Sequence, residues 1–268
     1  MRLKVQHVTR YFYDAPVRGV VQSHRLTPAD FDGQKVIDWV VMVPGGQRGG
    51  SFRDGAGDRI CAWTVLGPVA ELAITVTGTV DTEDMAGVLR GHREVVQPDA
   101  YLRATLPTRA DVQLQALAMG VAGKEPLALA HDLSAAISAA IAYRPGVTTA
   151  HTTAAEALAL GEGVCQDHAH ALISVARLRG LPARYVSGYL FADAEGVPHE
   201  AAHAWAEIHI TGIGWIGFDA ANSCCPDVRY IRLGSGMDAR DAAPIRGTSR
   251  GKALESLSVE VAVQSTQQ

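Results

Sequence analysis

An α+β fold, strand-rich at its N-terminal end and helical in its middle, is what the sequence predicts, and three observations carry the prediction. The first 82 residues are runs of Val, Ile, Thr and aromatics broken by turn residues. Between residues 109 and 180, Ala and Leu recur at helical spacing. From Ala183 the pattern returns to short alternating strands. Strands and helices occupy separate stretches, so the sheet is expected to be antiparallel with helices gathered on one side. A chain of 268 residues, 47% hydrophobic and 19% charged, is long enough to bury a sizeable core.

Residues 3–13, 17–26, 35–43, 59–66 and 71–80 read as strands, separated by Gly, Pro and Asp at 28–33, 44–46 and 54–58. The stretch 83–107 loses this rhythm. The expected organisation is therefore a β-rich module at 1–82, a linker at 83–107 and a core at 108–268. Residues 109–119 and 126–141 read as helices, with Pro126 suited to a first turn. A turn at 143–147 leads to a short helix at 152–160, with Thr152 or Thr153 as its cap and Gly161 as its stop. Strands follow at 183–191, 203–210 and 215–219, the last two joined by a turn at 211–214. Residues 223–251 read as loop, and 257–263 alternate once more.

The chemistry is expected at residues 161–172, GEGVCQDHAHAL. Ala169, Leu172, Ile173, Val175, Ala176 and Leu178 continue this segment as a buried helix, with Arg177 and Arg179 near its end and Gly180 and Pro182 beyond it. Cys165 falls in the first turn, where unpaired backbone N–H groups and the positive end of the helix dipole favour a thiolate. A catalytic cysteine needs a base, and the base needs a partner that fixes its tautomer. Strand alternation puts His203, Trp205, Glu207 and His209 on one face. The following hairpin brings Asp219 within roughly three residues of lateral register of His203, or about 10 Å. Cys165, His203 and Asp219 thus match nucleophile, base and orienter.

The four cysteines, Cys61, Cys165, Cys224 and Cys225, are too few and too unevenly spaced for a disulfide scaffold, which suits a reducing, cytoplasmic setting. Cys61 reads as strand core, Cys224 and Cys225 as loop residues. A net charge of −4 without a block of Lys or Arg argues against a nucleic-acid partner or a basic membrane-binding face. Residues 1–8 alternate polar and apolar, unlike a signal peptide, and no later stretch is long enough to span a bilayer.

Four ordered blocks carry a resemblance: Gly163-Val164-Cys165-Gln166-Asp167, Gly180-Leu181-Pro182-Ala183-Arg184-Tyr185-Val186-Ser187-Gly188-Tyr189, His203-Ala204-Trp205-Ala206-Glu207 and Gly214-Trp215-Ile216-Gly217-Phe218-Asp219. Together they resemble the bacterial transglutaminase-like proteins, often described as cysteine-protease candidates. His7, Thr9, Tyr11 and Tyr13, with Arg25-Leu26-Thr27-Pro28, are similar to the β-rich N-terminal region that accompanies that core. The resemblance implies a papain-like core in which the cysteine helix packs on an antiparallel sheet bearing the histidine and the aspartate. It also implies an amide-bond reaction through a Cys165 thioester on a peptide or protein substrate, with no cofactor and with the acyl group passed to water or to an amine. Papain relatives carry a glutamine before the cysteine as an oxyanion donor, and Ala159 to Val164 contain none. The Cys165 N–H serves as one donor. Tyr143 is a candidate for the second, and Gln166 and Trp205 are grouped with the site as supporting residues. His168 stands where relatives carry an aromatic, and Ala220-Ala221-Asn222 where they carry a prolyl segment.

Other readings compete. A lone cysteine at a helix start is more often a small buried hydrophobe than a nucleophile. Trp205 and Trp215 read first as packing residues, although Trp205 shares the His203 face and could wall a cleft. His168 and His170, two apart on a helix, cannot face the same partner. His199-Glu200-Ala201-Ala202-His203 matches the H-E-x-x-H pattern of zinc hydrolases, with His209 as a third ligand. Gly196 and Pro198 precede it closely and strand alternation begins at His203, so the helix that such a site needs is not supported. A zinc-dependent hydrolase using His199, Glu200 and His203 is the alternative, together with a non-catalytic binding module of the same fold.

Overall fold

The computed structural model describes residues 1–191 and 202–265. Four strands come first: β1 (Arg2–Thr27), β2 (Gln34–Met42), β3 (Gly46–Arg53) and β4 (Arg59–Thr82). The sequence pattern suggests two strands in each of the spans covered by β1 and β4. Each instead runs through as one long strand, the pair antiparallel from Arg2↔Asp81 to Thr27↔Arg59, with register shifts between Phe12 and Gly19. Along β1, Leu3, Val5, His7, Thr9, Tyr11 and Tyr13 are buried and most of the intervening residues are not, the period-two pattern of a strand with one covered face. β3 lies in a Gly-containing run to which the sequence pattern assigns no strand; it pairs with the first half of β4.

Residues 83–107 hold a single 3₁₀ turn, Pro98–Leu102, and are packed rather than free-running. Leu89 N donates to Trp215 O at 2.9 Å and Gly217 N to Gly87 O at 2.9 Å. Helices α1 (Val112–Gly120), α2 (Pro126–Ala140), α3 (Ala154–Leu160) and α4 (Cys165–Leu178) follow, with the two-residue strands β5 (Ala142–Tyr143) and β6 (Glu162–Gly163) paired in parallel. Thr153 caps α3 in a reciprocal box with Glu156, and Gly161 closes it at φ 71°.

The second sheet is antiparallel in the order β10-β7-β8-β9, formed by β7 (Ala183–Leu190), β8 (Ala202–Ile210), β9 (Gly214–Phe218) and β10 (Tyr230–Gly236). Helix α4 is buried without a break from Asp167 to Arg177, between the other helices and the α4-facing side of β7 and β8. The opposite side of that sheet meets the N-terminal sheet, where Leu3, Val5 and Val80 pack with Tyr189, Ile231 and Leu233. Burying about 25 cal/mol per Å² of apolar surface on both faces makes this sheet the centre of the fold.

Residues 223–251, read from sequence as loop, contain two strands, β10 and β11 (Ile245–Ser249). The reason is compensation: Arg232 lies on β10 with only 4% exposure, its charge matched by Glu207 and Asp58. A charged residue amid glycines hides a strand from a hydrophobicity pattern. Strand β11 and the final β12 (Glu255–Ser265) both pair with β1, so residues 245–265, grouped with the core by the sequence pattern, are hydrogen-bonded into the N-terminal sheet.

Candidate active site

Local packing fixes the start of α4. Asp167, at its third position, accepts from Val164 N at 2.8 Å and from Thr148 Oγ1 at 2.6 Å, which ties the cap to the preceding loop. A Cβ on Gly163 would come within 2.7 Å of the Asp167 side chain, so only glycine fits there. His168 bridges Val164 O at 2.9 Å and Ile141 O at 2.8 Å, binding the α4 start to the end of α2. These bonds hold Cys165 as the first residue of α4, with no intrahelical acceptor for its N–H.

His203 comes from the beginning of β8, and Asp219 directly follows β9. The register Ala206↔Phe218 sets Asp219 near His203, and Nε2 of His203 lies 2.6 Å from Asp219 Oδ2. With Nε2 committed to the carboxylate, Nδ1 is the nitrogen left for Cys165. Burial alone pushes the His203 imidazole down. Hydrogen bonds to Asp219 and Cys165, together with their charges, outweigh it and raise its pKa to about 10. Burial pushes the Asp219 carboxyl up, but the hydrogen bond and charge of His203, with Asn222 and Tyr230, hold it below the ordinary carboxylate value. At neutral pH the pair is imidazolium and carboxylate.

Asp219 is 1% exposed and accepts five hydrogen bonds. Ala221 N and Asn222 N reach Oδ1 at 3.0 and 3.2 Å, whereas Asn222 Nδ2 and Tyr230 Oη reach Oδ2 at 2.7 and 2.8 Å. Asn222 and Tyr230 were not singled out by the sequence pattern. The signal available for Tyr230 was the alternation Tyr230-Ile231-Arg232-Leu233 inside the apparent loop.

The supporting residues fall differently. Trp205 is buried, lies nearly parallel to His203 with centroids 6.4 Å apart, and meets Tyr230 edge-on at 5.5 Å; it packs behind the histidine. Gln166 reaches the other way, to Ala150 O at 3.4 Å. Tyr143 is half exposed on β5, beside the backbone that leads into Cys165, its ring 6.3 Å from that of His168. His168 and His170 are both buried on separate partners, the second accepting from Ala239 N at 3.0 Å. Of the H-E-x-x-H run, His199 and Glu200 lie outside the described residues. His203 is engaged with Asp219, and His209 sits against Trp215. Among the described residues no three His, Cys, Asp or Glu side chains converge as a metal set.

Cys224 and Cys225 are free thiols lining a groove of about 630 Å³ between α2 and residues 223–225. Cys224 Sγ lies 3.3 Å from Tyr230 Oη. Burial raises both thiols, Cys225 to about 11.

A second cluster braces the same strands. Glu207, four residues after His203 on β8, binds Arg184 Nε at 2.7 Å and Arg232 Nε at 2.8 Å, and Arg232 Nη1 binds Asp58 Oδ1 at 2.8 Å. Asp58 belongs to the turn before β4, so the N-terminal region supplies one charge of the cluster. Arg184 also pairs with Glu94 of the linker and stacks 4.0 Å over the Trp215 ring.

Comparison with known proteins agrees with this architecture. The model of the transglutaminase-like superfamily matches residues 115–220, and that of the bacterial transglutaminase-like N-terminal region matches residues 3–81. An uncharacterized protein of Mycobacterium leprae is 31% identical over 98% of both chains. An uncharacterized protein of Mycobacterium tuberculosis is 31% identical over 97% of this chain and 92% of its own. The crystal structure of a candidate cysteine protease from Cytophaga hutchinsonii superposes with a TM-score of 0.76 at 24% identity, covering 100% of this chain and 92% of that one, which speaks to fold.

Proposed function

Since the chain belongs to the transglutaminase-like superfamily, we propose that it is a cysteine-dependent amide-bond enzyme that works through a thioester at Cys165. The observation that carries the reading is the placement of His203 between Asp219 and Cys165, hydrogen-bonded to both. In the first step the Cys165 thiolate attacks the carbonyl carbon of a peptide or protein amide. The tetrahedral oxyanion faces the Cys165 N–H, and as it collapses the imidazolium gives its proton to the departing amine nitrogen. The product is a thioester and a neutral imidazole. In the second step water, or an amine, attacks the thioester while His203 takes its proton. Collapse releases the acid, or the new amide, and regenerates the thiolate–imidazolium pair. Asp219 takes no proton; it holds Nε2–H and stabilises the positive ring. Hydrolysis is the reaction proposed, since water needs no dedicated second site.

The test uses variants lacking Cys61, Cys224 and Cys225, screened on peptide and glutamine-amide substrates with and without added amine. Thiol alkylation at Cys165 should abolish turnover, Cys165→Ala should remove it, and mass spectrometry of the quenched reaction should find the acyl group on Cys165. Full amidase activity in Cys165→Ala, or an activity blocked by a chelator and indifferent to alkylation, would overturn the proposal in favour of zinc. The absence of any adduct at Cys165 would favour a binding module.

A further inference from the structure

Tyr230 stands at the start of β10, almost fully buried, with its ring edge-on to Trp205 and its centroid 5.9 Å from that of His203. A phenylalanine would meet every one of these ring contacts. The oxygen serves something else: it lies 2.8 Å from Asp219 Oδ2 and 3.3 Å from Cys224 Sγ. Burying a phenol is costly unless its hydroxyl is paired, so the hydroxyl is there for those partners.

The distribution of donors on Asp219 shows what the pairing achieves. Oδ1 is occupied by two backbone N–H groups of its own turn. Oδ2 meets His203 Nε2, Asn222 Nδ2 and Tyr230 Oη at 2.6, 2.7 and 2.8 Å. A proton placed on either oxygen would face a donor rather than an acceptor, and would have to expel one of them. Four of the five donors come from His203 or from residues 221–222. Tyr230 alone arrives from β10, at the far edge of the sheet from β9, and Arg232, two residues further along it, is clamped by Glu207 and Asp58. Burial and then the charge of Asp219 push the Tyr230 phenol well above its ordinary value, so it stays protonated and always donates.

We propose that Tyr230 is a positioning residue for the His203–Asp219 pair: its hydroxyl keeps Asp219 a carboxylate, so that the proton of the pair remains on His203. Its catalytic meaning rests on the proposed thioester reaction, but its effect on the pair does not.

The experiment follows the His203 ring by NMR across an acid titration, in the parent protein and in Tyr230→Phe. In the parent, the step at which the pair takes up a second proton lies below the ordinary carboxylate range. Tyr230→Phe should move that step upward by about one pH unit, the size expected for one hydrogen bond to a charged group. The acid limb of the turnover profile should move up by the same amount, with KM unchanged. A purely structural tyrosine would lower the melting temperature and leave the titration where it was, and that result would overturn the proposal. Should Tyr230→Phe unfold before it can be titrated, 3-fluorotyrosine installed at position 230 supplies a stronger donor of the same shape. The step should then move down, and an unmoved step would again overturn the proposal. The NMR titration needs no substrate, so failure of Cys165 to form an adduct would defeat the thioester reading without altering this outcome.

Discussion

His203 and Asp219, sixteen residues apart on a β-hairpin, meet at 2.6 Å through Nε2 and Oδ2, and every other donor around the carboxylate is arranged so that this bond keeps its direction. Asp219→Asn preserves the shape and removes the charge. The amide must present either a donor to Nε2 or a weaker acceptor, which favours the wrong tautomer. Turnover should fall by about 10³- to 10⁴-fold, by analogy with serine triads, while the circular dichroism spectrum stays unchanged. An Asn variant with parental turnover would remove Asp219 from the mechanism.

The proton on His203 also gives a signature in alkali. Its folded pKa of about 10 lies above its ordinary 6.5, so the charge contributes stability that is fully present below 6.5 and is lost as pH rises through about 10. Chemical denaturation between pH 6 and 10.5 should show the parent losing its advantage over His203→Ala across that window. Turnover should decline over the same alkaline limb as the leaving amine loses its proton donor.

Glu207 predicts the opposite sign. Burial pushes it up, but the charges and hydrogen bonds of Arg232 and Arg184 bring its pKa down to about 2 from an ordinary 4.5. That contribution is present above 4.5 and fades as pH falls through about 2. Glu207→Ala leaves two buried guanidinium groups short of their shared carboxylate and should cost about 3–5 kcal/mol in a urea titration at pH 7. A loss under 1 kcal/mol would mean that Asp58 and Glu94 carry the cluster without it.

Buried neutral histidines govern the response to mild acid, and three of them carry the largest shifts. His7, His24 and His170 are buried and held to about 4, in each case first by burial. The unfolded chain takes up their protons near 6.5 while the folded chain does not, so stability should fall as pH drops from 6.5 toward 4. The slope should approach about 1.4 kcal/mol per pH unit for each histidine. Replacing His24, whose Nδ1 is buried without a partner, by Gln should take up to about 1.4 kcal/mol per pH unit off that slope in a melting series.

The sequence made Cys165, His203 and Asp219 legible because each sits at a boundary with a strong local signature: a glycine-broken helix start, a strictly alternating strand and a tight hairpin. The same rules found α4 and narrowed the cap of α3 to Thr152 or Thr153, of which Thr153 is the one used. They failed for β10 and β3, for different reasons. In β10 the determining neighbours of Tyr230 and Arg232 are Asp219, Glu207 and Asp58, up to 174 residues away, and no local pattern announces a charge that another strand will neutralise. In β3 the glycines suppress the propensity, and pairing with β4 overrides it. Gln166, grouped with the site from the sequence, directs its side-chain amide to Ala150 O at 3.4 Å, a long-range partner that no local pattern announces.

Strand β1 has as its outer neighbour β12, in register from Leu3↔Ser265 to Tyr13↔Glu255. Its partner on that side is therefore synthesised long after β1 itself. Until that segment emerges, some 250 residues downstream, the nascent chain carries a long strand with one open edge. Such late closure makes for slow maturation and a long window in which two unfinished chains can pair with each other. A cell making this protein in quantity has reason to keep a holdase near the polysome, and a heterologous host without one should yield more of it at low temperature and a reduced rate of synthesis.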